Sequence, residues 1–296
     1  MKIFDCFMYF DEDLLLDLRL NHLDKFIDKF IIIECSYNHK GEEKKPHFNI
    51  EKYKKFKKKI EYIFLKEQPE DVEQIKIDDK ESEINVKYIL NAVKRENFQR
   101  NYIKKCLSEA SENDWIIISD LDEIPNLKDI NFNNINEQFI FFKQDMMYYK
   151  FNLKLENCSW VGTKACQMKN LESPQWLRNI KDRSYSWWRL DTLFSKNKYR
   201  NIKFIDDGGW HFSNIKSAQE IEHKLRSYLH HREFDEQPLT IEEIDNIIKN
   251  KQAIYDLKVD KRVNKVGNGS KLIKYNFEKL PIYLKENKEI YKEWLD

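Results

Sequence analysis

Short, purely apolar runs alternate along the chain with longer stretches whose apolar residues recur every three or four positions. Residues 2–10 (KIFDCFMYF) read as a strand. An amphipathic helix follows over 12–24, with Leu14, Leu15, Leu18 and Leu20 near helical spacing. Residues 29–35 (KFIIIEC) hold a short apolar run ending in an acid, consistent with a strand of a parallel sheet buried on both faces. After a polar stretch, SYNHKGEEKKPHFN, the pattern gives a short helix over 50–59 and a strand over 60–66. Residues 82–112 keep a helical pattern without Pro or Gly, and 114–119 (DWIIIS) are again a buried strand. Strands alternating with helices imply an α/β fold whose central, mostly parallel sheet is flanked by helices through right-handed crossovers.

From 138 to 215 the pattern changes to aromatic-rich alternation broken by turn residues, which suggests mixed or antiparallel strands. Residues 216–250 look helical, with Thr240 and Glu243 spaced as a capping box, and a last helix is expected over 282–294. No repeat and no linker interrupts the chain, so it reads as one domain with a C-terminal helical extension over 216–296.

Composition narrows the class. With 296 residues, 41% hydrophobic and 14% aromatic, the chain can bury a sizeable core and is not disordered. Its net charge of +1 offers no field to steer a polyanion, so no nucleic-acid partner is expected. The Lys cluster at 52–59 reads as a solvated helix face, because no aromatic stacking platform accompanies it. Five Cys without a C-x-x-C pair rule out a complete disulfide framework and read as reduced core thiols. No apolar run approaches the ~20 residues of a transmembrane segment, and the N-terminus lacks the features of a signal peptide. A soluble, cytoplasmic protein is therefore expected. The weight of Lys, Ile and Asn points to an AT-rich bacterial or viral genome.

Candidate chemistry concentrates in four places. Asp120-Leu121-Asp122-Glu123 puts three carboxylates in four residues at the C-terminal end of a buried strand, the edge where open α/β sheets bind ligands. Such a cluster suits Mg²⁺ or Mn²⁺ bridging a diphosphate; a solvated acidic turn before Pro125 is the competing reading. In Asp206-Asp207-Gly208-Gly209-Trp210-His211, two glycines let the backbone approach a ligand. There His211 is a candidate third ligand, or a hydrogen-bonded core residue, and Asp207 a candidate general base. Arg95 and Arg100, with Asn101 beside them, offer guanidinium forks to phosphate, or a salt-bridged helix face. Glu34 and Ser36, at the end of the second strand, could hydrogen-bond a ribose or base.

Taken together these stretches resemble glycosyltransferase family 17, a family of β-1,4-N-acetylglucosaminyltransferases. FDCFMYFDEDLLLDLRLNHL, FIIIECSYNHKGEEKKPHF, RENFQRN, IIISDLDEIP, DDGGWHFS, EIEHKLRSYLHHREF and LPIYLKEN match in order, so the resemblance spans nearly the whole chain. It implies a GT-A-type nucleotide-sugar-binding fold, a nucleotide-sugar donor and inversion at the anomeric carbon. On it, residues 1–125 form the nucleotide-sugar half and 126–215 the acceptor-side half. Asp120 and Asp122 fall on the family's DxD positions and His211 on its WH position, while either His230 or His231 matches a later His. The implied reaction is transfer of GlcNAc from UDP-GlcNAc to a glycan acceptor. Asp122 and His211 would hold Mn²⁺ or Mg²⁺, with Asp120 on the ribose or a metal-bound water. Arg100 would stand at the diphosphate, Asp207 would be the base with Glu123 in reserve, and Trp176 and Trp210 are candidates either to stack on sugar faces or to sit in the core. A nucleotide-sugar hydrolase or nucleotidyltransferase using the same carboxylates is the enzymatic alternative. A non-catalytic glycan-binding protein is the alternative of another class.

Overall fold

The structure, a computed structural model, describes residues 1–186, 188–192, 194–228, 231–255 and 269–296. The first elements are β1 (Ile3–Met8), α1 (Asp13–Leu23), β2 (Lys29–Cys35), β3 (Ile60–Leu65), α2 (Glu81–Cys106), β4 (Trp115–Asp120) and β5 (Glu123–Pro125). Next come β6 (Phe139–Phe142), β7 (Gln144–Tyr148), β8 (Leu153–Trp160), β9 (Lys164–Gln167), α3 (Pro174–Asn179), β10 (Ile202–Ile205) and β11 (Gly209–Ser213). The chain closes with α4 (Ala218–Ser227), α5 (His231–Glu236), α6 (Ile241–Lys249), β12 (Leu272–Lys274), α7 (Ile282–Glu286) and α8 (Lys288–Tyr291).

Two sheets result. The first runs β10-β6-β9-β4-β1-β2-β3 and is parallel except at β9, which is antiparallel to both its neighbours. The second runs β12-β8-β7-β11-β5 and is mostly antiparallel, as the alternation over 138–215 suggests. Side chains of the first sheet alternate between its faces. Phe7, Ile32 and Ile117 pack under the leucines of α1. Cys6, Ile33 and Ile118 face Ile103 of α2 and Leu177 of α3. The α4 and α6 helices cover the second sheet through Ile221, Leu225 and Ile244. All five cysteines are free thiols. Among the described residues no helix is long and apolar enough to cross a membrane.

Four elements differ from the sequence pattern. The helix over 50–59 is a 3₁₀ helix, Ile50–Phe56. The α2 helix stops at Cys106, where the Leu107 N–H turns back to the Lys104 carbonyl, and the Asp114 carboxylate accepts from the Ser111 and Lys2 backbone N–H groups in the turn before β4. The helix over 282–294 is broken at Asn287, whose side-chain amide donates to the Tyr283 carbonyl and competes with helical bonding. The segment 216–296 is not purely helical: β12 adds an edge strand to the second sheet, and α7 packs on α1.

His22, at the end of α1, sits edge-on to Trp210 with its Nε2 buried and without a partner. Burial pushes its pKa down to about 4. The unfolded chain takes up this proton near pH 6.5 and the folded one only near pH 4, so stability falls as pH drops through that window. The shift corresponds to about 3 kcal/mol. Denaturant unfolding measured between pH 7 and 4 should lose this increment in the wild type. His22→Gln should flatten the fall.

Candidate active site

The site is built where the chain leaves one sheet for the other. The β4 strand ends at Asp120, in register with Met8 of β1. After a two-residue step β5 joins the second sheet, antiparallel to β11, with Glu123 opposite His211. The Phe212 N–H donates to the Asp122 carbonyl at 2.8 Å. Backbone pairing thus brings the two motifs together from distant parts of the sequence.

Arg19 of α1 braces the step from below. Its Nη1 donates to the carbonyls of Asp120, Leu121 and Glu123 at 3.0, 3.1 and 2.9 Å. Its Nε and Nη2 form a bidentate pair with Asp5 at 2.8 and 2.6 Å, and both side chains are fully buried. The helical pattern of α1 marks only its leucines. The signal for this pair is an Arg in an apolar helix beside a strand interrupted by one Asp.

Above the step, both oxygens of Asp120 are taken. Arg100 Nη2 donates to one and Arg178 Nη2 to the other, each at 2.9 Å. Burial alone would raise this carboxyl, but the Arg178 and Arg100 guanidiniums outweigh it and hold the group well below the usual carboxylate range. Glu123 is fully buried; Trp160 Nε1 and Arg178 Nη1 each donate to it at 2.6 Å. Asp122 is free of these bonds. Its Oδ1 lies 3.5 Å from His211 Nε2 and its Oδ2 lies 3.6 Å from Lys224 Nζ. Burial is again outweighed: His211 and Lys224 lower the Asp122 pKa, and Asp122 raises that of His211.

Asp120, Asp122, His211 and Arg100 all line one cavity of about 370 Å³ at the carboxyl ends of β1, β2 and β4. Phe10, Tyr37 and Lys224 complete its walls. Among the described residues no cluster of three or more His, Cys, Asp or Glu side chains is arranged to hold a metal ion. The donor set still suits Mg²⁺ or Mn²⁺ in part. Asp122 and His211 converge on the cavity, and such ions take one or two carboxylates and leave positions for substrate phosphates and water. Asp120, expected as a ligand, instead carries two guanidiniums.

The other candidates lie elsewhere. Glu34 is buried and anchors the 36–48 loop, accepting from Lys44, from the His47 and Phe48 N–H groups at 2.7 and 3.1 Å, and from the Tyr62 hydroxyl at 2.8 Å. Ser36 bonds the Lys66 carbonyl. Arg95 holds the same loop from its other side, through the carbonyls of His39 and Lys40. These residues shape the cavity through the loop that presents Tyr37. Asn101 accepts from the Gln175 N–H outside the cavity. Asp207 is exposed in the turn before β11, with φ +49°. Trp210 is a core residue whose Nε1 bonds the Lys279 carbonyl. Trp176 packs on Phe139 and Tyr199 and bonds the Lys196 carbonyl. His231 is buried against Tyr88, its Nδ1 bonded to the Tyr228 carbonyl, and His230 lies outside the described residues. The sequence reading missed Arg178, Trp160 and Lys224. Arg178 and Lys224 could have been suspected, one from the scarcity of Arg and the other from its place in EIEHKLRSYLHHREF.

Fold and site define an α/β protein whose ligand cleft lies at the carboxyl ends of parallel strands and is lined by paired acids and bases. More narrowly, the chain belongs to glycosyltransferase family 17: the sequence model of that family matches residues 1–295. It is accordingly a glycosyltransferase. Among curated proteins, none matches the chain.

Proposed function

We propose that the protein is an inverting, metal-dependent transferase of GT-A type, a single domain that moves GlcNAc from UDP-GlcNAc to a hydroxyl of a glycan. The observation that carries this reading is the Asp122–His211 pair, opening on the cavity beside an arginine-braced Asp120. Asp122 and His211 would hold Mn²⁺ or Mg²⁺, which supplies charge neutralisation at the departing diphosphate. Lys224 and Arg100, which both line the cavity, would offer cationic N–H donors to the phosphates, Arg100 while ion-paired with Asp120 and Glu96. Asp120, kept ionised by its two arginines, fixes Arg100 in place.

Neither carboxylate expected as base fits that task. Glu123 is sealed behind Trp160 and Arg178, and Asp207 stands outside the cavity. Glu12 and Glu96 are the carboxylates that line the cavity outside the acidic turn, and the reading gives the acceptor's proton to one of them.

The test is donor turnover. The protein is incubated with Mn²⁺ and a panel of UDP- and GDP-sugars, with and without N-acetylglucosamine-terminated oligosaccharides, and free nucleotide is followed. Nucleotide release from UDP-GlcNAc alone, stopped by chelator, is the expected result. Release from a different sugar nucleotide would reassign the donor. Absence of both nucleotide release and calorimetric UDP binding would sink the reading.

A further inference from the structure

A second groove, of about 410 Å³, opens on the other side of a wall formed by Glu96, Arg100 and Trp160, which line both spaces. Its far side is α3, through Gln175, Arg178 and Asn179. Gly162 lies in its floor; a Cβ there would stand 1.9 Å from Glu123 Oε1, so only glycine allows the backbone to lie this close to the buried network. The Trp160 indole is fixed by its hydrogen bond to Glu123 and lies 5.1 Å from the His211 ring, centroid to centroid. It is a half-buried aromatic wall that cannot swing without breaking a bond to a buried carboxylate.

The charges of the groove are satisfied within the protein. Arg178 is balanced by Asp120 and Glu123, and Arg100 by Asp120 and Glu96. Lys164 Nζ is buried and donates to the Arg178 and Ile180 carbonyls at 2.6 Å each. Lys181 and Asp182, of opposite charge, are neighbours in the chain on the exposed rim. Inside its rim the groove therefore presents an indole and side-chain amides rather than free charge. Gln175 Oε1 accepts from Arg100 Nη1 and its Nε2 donates to Asn179 Oδ1 at 3.0 Å, which ties both amides along one face of α3 and leaves their remaining N–H groups for a ligand. Inside the rim a phosphate would find only cations already bonded within the protein. A neutral ring with many hydroxyls would find an aromatic wall and hydrogen-bonding amides.

We propose that this groove is a saccharide subsite, taking a neutral pyranose ring beside the Trp160 indole with Gln175 and Asn179 at its hydroxyls. The inference extends the proposed donor site, since the shared wall puts a ring in the groove next to a nucleotide in the cavity. The ring belongs either to the sugar being transferred or to the acceptor glycan.

Binding is tested by saturation-transfer NMR with methyl glycosides of glucose, galactose, mannose and N-acetylglucosamine, with UDP and Mn²⁺ present and absent. Asn179→Trp fills the groove from an exposed position and touches neither Asp120 nor Glu123; Asn179→Phe replaces it if the larger ring prevents folding. The wild type should bind at least one glycoside, and the variant should bind it at least about tenfold more weakly, the loss of one anchoring contact. UDP affinity by calorimetry should not change. If the ring is the donor's, UDP-GlcNAc loses its advantage over UDP in the variant. If it is the acceptor's, the UDP-GlcNAc affinity stays and the KM for the glycoside rises. A wild type that binds no glycoside, or a variant that binds as well as the wild type, overturns the proposal. Failure of wild-type protein to bind UDP would instead overturn the donor site, and the glycoside result would still decide the groove.

Discussion

Asp122→Asn is expected to lower glycosyl transfer by about 10²–10³-fold, the size of effect seen when one preorganised electrostatic partner is removed from a site. The unfolding midpoint should stay near that of the wild type. The structural work of Asp122 is done by its carbonyl, which accepts from the Phe212 N–H and survives the change. The carboxylate instead faces His211 and Lys224 across the cavity. Without it only Glu123 still opposes burial at His211, whose raised pKa should fall. Chelator should stop the wild type and leave the residual rate of the variant untouched. Protons compete with a metal for the Asp122–His211 pair, so metal-dependent UDP binding should strengthen as pH rises through the raised His211 pKa. Wild-type turnover by Asp122→Asn would remove the acidic turn from the mechanism. A large drop in unfolding midpoint would make the residue structural.

What the sequence made legible was the backbone. Strand ends at Cys35 and Asp120 mark the carboxyl edge of the sheet, and the DLDE and GWHFS stretches do meet there. Direction of side chains was harder to read, because proximity in sequence is not proximity in a strand. Trp210 is next to His211, yet alternation turns it into the core while His211 faces the cavity. Asp207 is four residues from His211, yet it stands exposed in the turn before β11 and does not line the cavity. Glu34 sits at a strand end, the usual place for a ligand group, but four donors from its own loop and from β3 consume it. Glu123 belongs to the acidic motif and shares a face with His211, yet Arg178 and Trp160 seal it off. Both partners come from segments no local pattern joins to the motif. It is the tertiary packing of α3, β8 and α4 around the acidic turn that decides which carboxylate is left facing the cavity.

Arg19→Met should have the largest effect on stability. Removing one partner of a buried ion pair typically costs about 3–5 kcal/mol, and here it also strips a donor from three carbonyls and from Ser119 Oγ. Equilibrium unfolding in urea should show the loss as a lower midpoint with an unchanged slope. The double change Arg19→Met with Asp5→Leu separates two contributions. It leaves no carboxyl stranded in the core, and replacing a buried pair by apolar side chains of similar volume is often neutral or stabilising. Most of the lost stability should therefore return. Activity should not return with it, because the carbonyls of Asp120, Leu121 and Glu123 still lack the guanidinium that fixes the turn carrying Asp122. A loosened turn misplaces Asp122 relative to His211, and positioning errors of about 1 Å can cost on the order of 10²-fold in rate. Recovery of both stability and turnover in the double variant would show that the pair is only a tolerated buried charge. Recovery of stability alone would assign Arg19 a second task, holding the acidic turn in the shape its chemistry requires.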